Sequence, residues 1–291
     1  MGDYAARAGF VSSRTLPYRG PRGNARTNQT EADITTPEAQ PRLAVVTGAA
    51  SGIGRATAEL LVSRGHTVLA TDLRGEGLAS LAAAGARTVA ADLSTPEGRV
   101  VLVTAAEAMV AEAAGPLDWL VNAAGTIILN PIGEVDVADF RQVFATNAES
   151  TFFLCQQLGA RMTSGGAIVN FSSPSAKFVA TTEAAVYAAT KAAISQITRS
   201  FAKAYAARAI RVNAISPGIT DTPMQATVLR EVSAARGISA EQLAAARLAT
   251  VPMGRTAPPS EMASMVAWLL SDEAAYMTGQ VINADGGMVM W

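Results

Sequence analysis

The 291-residue sequence is poor in the side chains from which disulfides and metal sites are built. It contains one cysteine, Cys155, and one histidine, His66. A single cysteine excludes a disulfide within the chain, and these two residues cannot supply the four ligands of a Cys/His zinc site. A Ser-His-Asp hydrolase would have to use His66, which lies at the edge of a predicted strand. We therefore expect no metal site and no histidine-based hydrolysis.

Net charge and long apolar runs are also scarce. The chain has 23 basic and 24 acidic residues and a formal net charge of −1, so we expect no basic surface for nucleic acid. No stretch approaches the roughly 20 consecutive apolar residues that a membrane helix needs. Hydrophobic residues make up 49% of the sequence, which favours a large packed core. We expect a cytoplasmic protein that binds neither nucleic acid nor membrane.

The chain divides into an irregular start and a regular remainder. Prolines and glycines interrupt every periodic run in residues 1–40, which predicts a mostly disordered extension. Its first half contains arginines and few acids, as organelle transit peptides do, but a dispensable extension is the simpler interpretation. Residues 41–291 form the predicted catalytic domain. Within it, residues 217–259 break the regular pattern, and we interpret them as an irregular lid over the substrate.

From residue 41 onward, apolar strands alternate with helices. Strands that are apolar on both faces are typical of a parallel sheet covered by helices on both sides. The sequence therefore predicts one Rossmann-like, doubly wound α/β domain with seven parallel strands. The pattern predicts strands over 43–47, 67–72, 88–90, 117–121, 167–171, 210–215 and 281–283, and helices over 53–63, 78–84, 96–114, 137–162, 184–207 and 260–270.

A glycine-rich turn joins the first predicted strand to the first predicted helix. Glycines at this spacing permit a tight turn, the close approach of a pyrophosphate, and close packing of the helix on the strand. The free N–H groups at the start of a helix then bind the anion. We predict a dinucleotide site that includes Gly48, Ser51, Gly52, Ile53 and Gly54.

Asp72 ends the second predicted strand, 18 residues after Gly54. An acid at about this distance accepts hydrogen bonds from the ribose hydroxyls of NAD. Its charge repels the 2′-phosphate of NADP, so we expect NAD to be the preferred cofactor. Arg74, two residues further on, favours NADP and leaves an NADPH-dependent ketoreductase as the alternative.

Tyr187 and Lys191 lie four residues apart on a predicted helix and therefore share one of its faces. A tyrosine with an ordinary pKa near 10 must lose about three units to handle protons near neutral pH. A nearby ammonium lowers the pKa, so the pair predicts an acid–base site. From the spacing alone, an exposed helix pair remains the alternative.

The combination of motifs, in this order, resembles the short-chain dehydrogenase/reductase family over residues 42–291. No single motif is specific, whereas the ordered set is. The motifs are Thr-Gly-Ala-Ala-Ser-Gly-Ile-Gly at 47–54, Asp92-Leu93, Asn-Ala-Ala-Gly at 122–125, Asn147, Ser172-Ser173, Tyr187-x-x-x-Lys191, Pro217-Gly218 and Asp285-Gly286-Gly287.

The resemblance implies NAD(P)-dependent interconversion of a secondary alcohol and a ketone, with hydride passing between the substrate carbon and the nicotinamide. It implies that Tyr187 exchanges a proton with the substrate oxygen and that Lys191 lowers the pKa of Tyr187 and binds the nicotinamide ribose. It also implies that Ser173 donates a hydrogen bond to the reacting oxygen, with Ser172 as its rival. Asn147 would anchor a water that relays protons to Lys191.

The resemblance extends to the cofactor, the assembly and the substrate. A homotetramer is implied, and the predicted substrate walls at 126–131, 174–180 and 219–253 are mostly apolar, which favours a small alcohol or ketone without strong charge. A non-catalytic dinucleotide sensor on the same fold is the alternative from another functional class. The resemblance further implies that Asp92 and Leu93 line the adenine site, that Asn122 and Gly125 shape the nicotinamide-ribose side, and that Thr220 and Thr222 flank the carboxamide and phosphate.

Overall fold

The computed structural model describes residues 40–291. The predicted disordered extension concerns residues 1–39, which lie outside this range. Within it, seven strands form one sheet in the order β3-β2-β1-β4-β5-β6-β7, and every neighbouring pair is parallel. The strands are β1 Leu43–Thr47, β2 Thr67–Asp72, β3 Arg87–Ala90, β4 Leu117–Asn122, β5 Met162–Phe171, β6 Arg211–Pro217 and β7 Val281–Ala284.

Helices cover both faces of this sheet, which confirms the predicted doubly wound architecture. Alternate residues of each strand face opposite sides, so Val46 packs with α1 and α9 while Val45 packs with α3, α5 and α6. None of the helices in residues 40–291 is long and apolar enough to cross a membrane. The helices are α1 Gly52–Ser63, α2 Ala79–Ala83, α3 Pro96–Ala113, α4 Val137–Phe144, α5 Ser150–Gly159, α6 Ala185–Tyr205, α7 Pro223–Arg236, α8 Ala240–Leu248 and α9 Pro259–Leu270.

The helix predicted over 137–162 is interrupted and ends early. A π-helical turn at Ala145–Glu149 separates α4 from α5, and α5 ends at Gly159. Strand β5 then begins at Met162, five residues before its predicted start. Glycines at 165 and 166, the first with φ +88°, resemble a loop in the sequence although they lie within the strand.

The prediction of an irregular lid over residues 217–259 was wrong in its secondary structure. Two helices, α7 and α8, occupy most of the segment. The Thr222 hydroxyl accepts the N–H of Gln225 at the start of α7, and a capping box links Ser239 to Gln242 at the start of α8. The buried side chains of Val228, Val232 and Leu243 pack together, so these two helices form a small apolar cluster of their own.

Candidate active site

A cleft of about 480 Å³ opens at the carboxyl ends of the central strands. Strand β1 pairs with β2 on one side and with β4 on the other, so the chain reverses its winding direction beside this cleft. Open α/β sheets bind ligands at such a switch point. One end of the cleft lies at the glycine-rich turn after β1, and the other lies beneath α7 and α8.

The backbone of the glycine-rich turn requires its glycines. Gly48 has φ +65°, and a Cβ there would lie 2.7 Å from the backbone nitrogen of Ala124. Gly52 has φ +56° and faces the Thr222 methyl group, and a Cβ at Gly54 would overlap the carbonyl oxygen of Gly48. The turn therefore brings bare backbone and the start of α1 to the cleft. This surface fits a dinucleotide, because a pyrophosphate binds free helical N–H groups at close approach.

Asp72 lies beside this turn and lines the cleft. Its Oδ2 accepts the N–H of Ala50 at 3.1 Å, and its Oδ1 accepts the N–H of Arg74 at 3.3 Å. These two bonds fix the carboxylate at the carboxyl end of β2, where the predicted ribose site lies. The other predicted cofactor residues that line the cleft are Ser51, Ile53, Asp92, Leu93, Gly125, Thr220 and Thr222.

The structure does not bring the Asn122 side chain into the cleft. Its Nδ2 donates to the Asn170 side-chain oxygen at 2.9 Å and to the Cys155 sulfur at 3.4 Å, both within the buried core. Asn122 ends β4, and the alternation of side chains along that strand turns it toward α5. The side chain thus serves the packing behind the cleft, contrary to the expected place on the nicotinamide-ribose side.

Tyr187, Ser173 and Lys191 line the same wall of the cleft. Both helix residues come from α6, and Ser173 follows the end of β5. The Lys191 Nζ lies 5.3 Å from the centroid of the Tyr187 ring and donates to the carbonyl oxygen of Phe171 at 2.8 Å. The geometry thus brings a phenol, a hydroxyl and a buried amine together in one wall of the cleft.

The pKa values of this pair depend mainly on burial. Burial raises the pKa of Tyr187 to about 12, and a hydrogen bond with Ser173 opposes that rise. Burial lowers the pKa of Lys191 to about 8, because a buried ammonium loses its hydration. The expectation that the ammonium would lower the Tyr187 pKa therefore does not hold for the chain alone.

The two serines after β5 have different surroundings. The Ser172 hydroxyl lies 2.8 Å from the Ser195 hydroxyl and donates to the Lys191 carbonyl at 3.1 Å, so it is engaged by α6. The Ser173 oxygen accepts the N–H of Ser175 at 3.2 Å and forms the hydrogen bond that acts on Tyr187. Geometry therefore favours Ser173 over its rival as the residue facing a substrate.

Asn147 lies in the π-helical turn, fully buried behind the cleft wall. Its Nδ2 donates to the Thr126 carbonyl at 2.9 Å and to the Thr190 hydroxyl at 3.0 Å, and its Oδ1 accepts the Thr126 N–H at 2.8 Å. Thr190 in turn donates to the Tyr187 carbonyl at 2.7 Å. The amide thus ties the loop after β4 to the helix that carries Tyr187 and Lys191.

Three polar residues of the cleft wall were not singled out from the sequence. Gln142 and Thr146 line the cleft from α4 and the π-helical turn, and Arg247 reaches it from α8. The Gln142 amide donates to the Thr146 hydroxyl at 3.2 Å. Spacing by four on a predicted helix was a usable signal for Gln142 and Thr146, whereas Arg247 lay in the predicted lid without a motif to mark it.

Comparison with known proteins agrees with this geometry. The family model described as Enoyl-(Acyl carrier protein) reductase matches residues 48–289. Galactitol 2-dehydrogenase (L-tagatose-forming) from Cereibacter sphaeroides is 36% identical over 255 residues, covering 85% of this chain and 95% of that protein. Cis-4-hydroxycyclohexanecarboxylate dehydrogenase from Sinomonas cyclohexanicum is 39% identical over 256 residues, covering 84% of this chain and 96% of that protein.

A solved structure gives the same result. The crystal structure of a variant actinorhodin polyketide ketoreductase with NADPH has a TM-score of 0.78 and 34% identity, covering 86% of this chain and 98% of that one. The chain therefore belongs to the short-chain dehydrogenase/reductase family. Its chemistry is NAD(P)-dependent oxidoreduction between an alcohol and a ketone.

Proposed function

We propose that this chain oxidises a secondary alcohol with NAD, and reduces the matching ketone in reverse, through Tyr187, Ser173 and Lys191. The observation that supports this proposal most is the shared cleft. The glycine-rich turn fits the phosphates of a dinucleotide at one end, and the Tyr187 hydroxyl lines the wall further along. A small alcohol or ketone substrate occupies the space between that wall and α7.

Each residue of the wall has one task in this proposal. Ser173 donates a hydrogen bond to the substrate oxygen, and Tyr187 takes the hydroxyl proton in oxidation or returns it in reduction. Lys191 binds the ribose hydroxyls beside the reacting carbon. Bound nicotinamide supplies the hydride acceptor or donor and, in its oxidised form, a positive charge. Asn147 positions α6 through Thr190, and the water that it would anchor for the proton relay is part of the same proposal.

The Lys191 ammonium is the one positive charge that the described chain places beside Tyr187, and oxidised nicotinamide would add a second. With a pKa of about 12, the phenol is neutral near physiological pH and is suited to donating a proton. Oxidation needs the phenolate, so the proposal requires that cofactor charge and the Lys191 ammonium together lower this pKa. The lysine, with a pKa of about 8, keeps most of its charge at neutral pH.

The preference for NAD rests on Asp72. Its carboxylate is fixed by two backbone N–H groups, so it cannot move away from a 2′-phosphate without losing them. The exposed Arg74 side chain and the NADPH in the solved relative favour the alternative, an NADPH-dependent ketoreductase. We propose that the cofactor also contacts the glycine-rich turn, Asp92, Leu93, Gly125, Thr220 and Thr222.

We also infer how the protein assembles and how its cleft is covered. A homotetramer is supported by exposed aromatic side chains on α4 and α5, Phe140 at 45% and Phe152 at 39%, which another subunit would cover. We also propose a cytoplasmic location and a lid over residues 217–259. The lid is supported by the position of α7 and α8 at the substrate end of the cleft.

The Tyr187→Phe variant tests the proposal. We expect it to bind NAD normally and to lose turnover by about 10²- to 10⁴-fold, because no other described residue exchanges a proton at that point. Turnover is measured by NADH absorbance with a panel of secondary alcohols, and cofactor binding by calorimetry. Tyr276→Phe, at a fully exposed tyrosine, is the matched control. Normal turnover in folded Tyr187→Phe would refute the role, and absence of turnover in the wild type would favour the dinucleotide sensor.

A further inference from the structure

Arg247 places a positive charge in the wall of the cleft, beneath the lid helices. Its side chain extends from α8 toward α7, where one terminal nitrogen donates to the Gln225 side-chain oxygen at 3.2 Å. Its Nε is buried and has no hydrogen-bond partner among residues 40–291. An arginine carries five donor hydrogens and keeps its charge at any physiological pH. Apart from the bond to Gln225, the donors of Arg247 have no hydrogen-bond partner within residues 40–291.

The nearby carboxylate is already taken by another arginine. Glu183 accepts from the Arg236 Nε and from a terminal nitrogen of the same side chain, each at 3.0 Å. This ion pair lowers the pKa of Glu183 to about 2, so the carboxylate stays charged and engaged. Across residues 40–291, no acidic group lies within ion-pair distance of Arg247. Burial lowers the pKa of Arg247, and the positive charge of Arg236 lowers it further.

A half-buried cation without a counter-ion is unfavourable, because desolvation is not offset by an attractive charge. The other side chains around this end of the cleft are largely apolar and cannot satisfy it. They include Ile127, Leu129, Met224 and Val228. A ligand that carries its own negative charge would supply the missing partner and use the free donors.

We propose that Arg247 binds a carboxylate of the substrate, so that the alcohols this protein oxidises are hydroxy acids and the products are keto acids. This inference rests on the proposed function and adds its substrate class. It replaces the expectation of an uncharged substrate, which considered the apolar walls and not this arginine. A planar guanidinium matches the two oxygens of a carboxylate.

The cofactor pyrophosphate is the other possible source of a negative charge at Arg247. Gln225 lies only one helical turn beyond Thr222, whose methyl group faces Gly52 of the glycine-rich turn. Arg236, however, binds the Thr181 hydroxyl as well as Glu183, and Thr181 lines the substrate end of the cleft. Arg247 lies between Thr222 and Arg236, and the contact of Arg236 with Thr181 favours a substrate carboxylate over the pyrophosphate. The experiment must separate these two sources of negative charge.

The test measures binding without turnover. Cyclohexanecarboxylate, benzoate and butyrate have no secondary hydroxyl, and each is compared with its neutral amide by calorimetry on enzyme saturated with NAD. We expect the wild type to prefer the acids and Arg247→Met to weaken their binding by about 10- to 100-fold. Amide binding and NAD affinity should change by about threefold or less. Arg247→Lys should recover part of the loss, because it restores the charge without the planar fork.

Arg230→Met is the matched control, since Arg230 is an exposed residue of α7 that pairs with Glu231 and does not line the cleft. The inference is overturned if wild-type enzyme shows no preference for acids over amides, or if Arg247→Met binds the acids normally. If Arg247→Met loses NAD affinity and binds the acids normally, Arg247 belongs to the cofactor phosphates, and the inference is likewise overturned. Failure of the proposed function has a different signature, because acid binding would still depend on Arg247 while no hydroxy acid is oxidised.

Discussion

Neutralising Asp72 is expected to shift the cofactor preference from NAD toward NADP. The best substitution is Asp72→Asn, because a side-chain amide oxygen still accepts the N–H of Ala50, which Asp72 binds at 3.1 Å. Asp72→Ala removes that bond as well and is expected to loosen the glycine-rich turn. The asparagine variant therefore removes the charge and one acceptor, the one that binds the N–H of Arg74 at 3.3 Å, whereas the alanine variant removes the charge and both acceptors.

The size of the shift follows from the fixed position of the carboxylate. Two unit charges about 4 Å apart repel by about 4 kcal/mol at an effective dielectric of 20. The Asp72 side chain is only partly buried, and solvent and salt reduce this value, so we take about half of it. About 2 kcal/mol corresponds to about 30-fold in the ratio of kcat/KM for NAD over that for NADP.

The assay is steady-state kinetics with both cofactors at two ionic strengths. Wild type should favour NAD, and Asp72→Asn should reduce that ratio by about 10- to 30-fold, with the larger effect at low salt. Glu76→Gln, at an exposed acid near the same end of the cleft, is the control for net charge. The reasoning is refuted if wild type uses NADP better than NAD, in which case Arg74 is the residue to mutate next.

Three further predictions concern stability and cofactor binding. Lys191→Met should weaken NAD binding. Above about pH 8, folded Lys191 releases a proton that the unfolded chain keeps, so the wild type becomes more stable as the pH rises. In urea titrations, the free energy of unfolding of the wild type should rise by about 2 kcal/mol relative to this variant between pH 7.5 and 9.5. A shift of the opposite sign would contradict the burial argument. Gly54→Ala should destabilise the protein by about 1–3 kcal/mol, since its Cβ overlaps the Gly48 carbonyl oxygen, whereas Gly133→Ala, in open space, should not. A chain that begins at Pro41 should keep its melting temperature and activity; loss of either would show that the extension is structural.

The sequence predicted the parts of the fold that depend on local backbone rules. The turn at Gly48, Gly52 and Gly54 could be predicted because positive φ angles and close backbone contacts admit little else. The central strands could be predicted because a sheet buried on both faces needs continuous apolar runs. Tyr187 and Lys191 could be paired because spacing by four residues defines a shared helix face.

Features that depend on packing between distant segments could not be predicted in this way. Helices α7 and α8 bury few apolar side chains, so their hydrophobic pattern is weak, although the Ser239-x-x-Gln242 capping box was a readable signal. The direction of the Asn122 side chain depends on Asn170, 48 residues away. The significance of Arg247 depends on the absence of a carboxylate partner within residues 40–291, and only the positions of Glu183 and Arg236 reveal that.

The attachment of Lys191 to a peptide oxygen has a consequence for how the protein tolerates change. The Phe171 carbonyl that accepts the ammonium exists whatever side chain stands at that position. Natural variation at residue 171 therefore acts on the apolar packing of a nearly buried ring and leaves the lysine anchor intact. Asn147 has no such freedom, because its own amide makes three hydrogen bonds. We therefore expect homologous sequences to vary at residue 171 among large apolar side chains and to keep asparagine at residue 147.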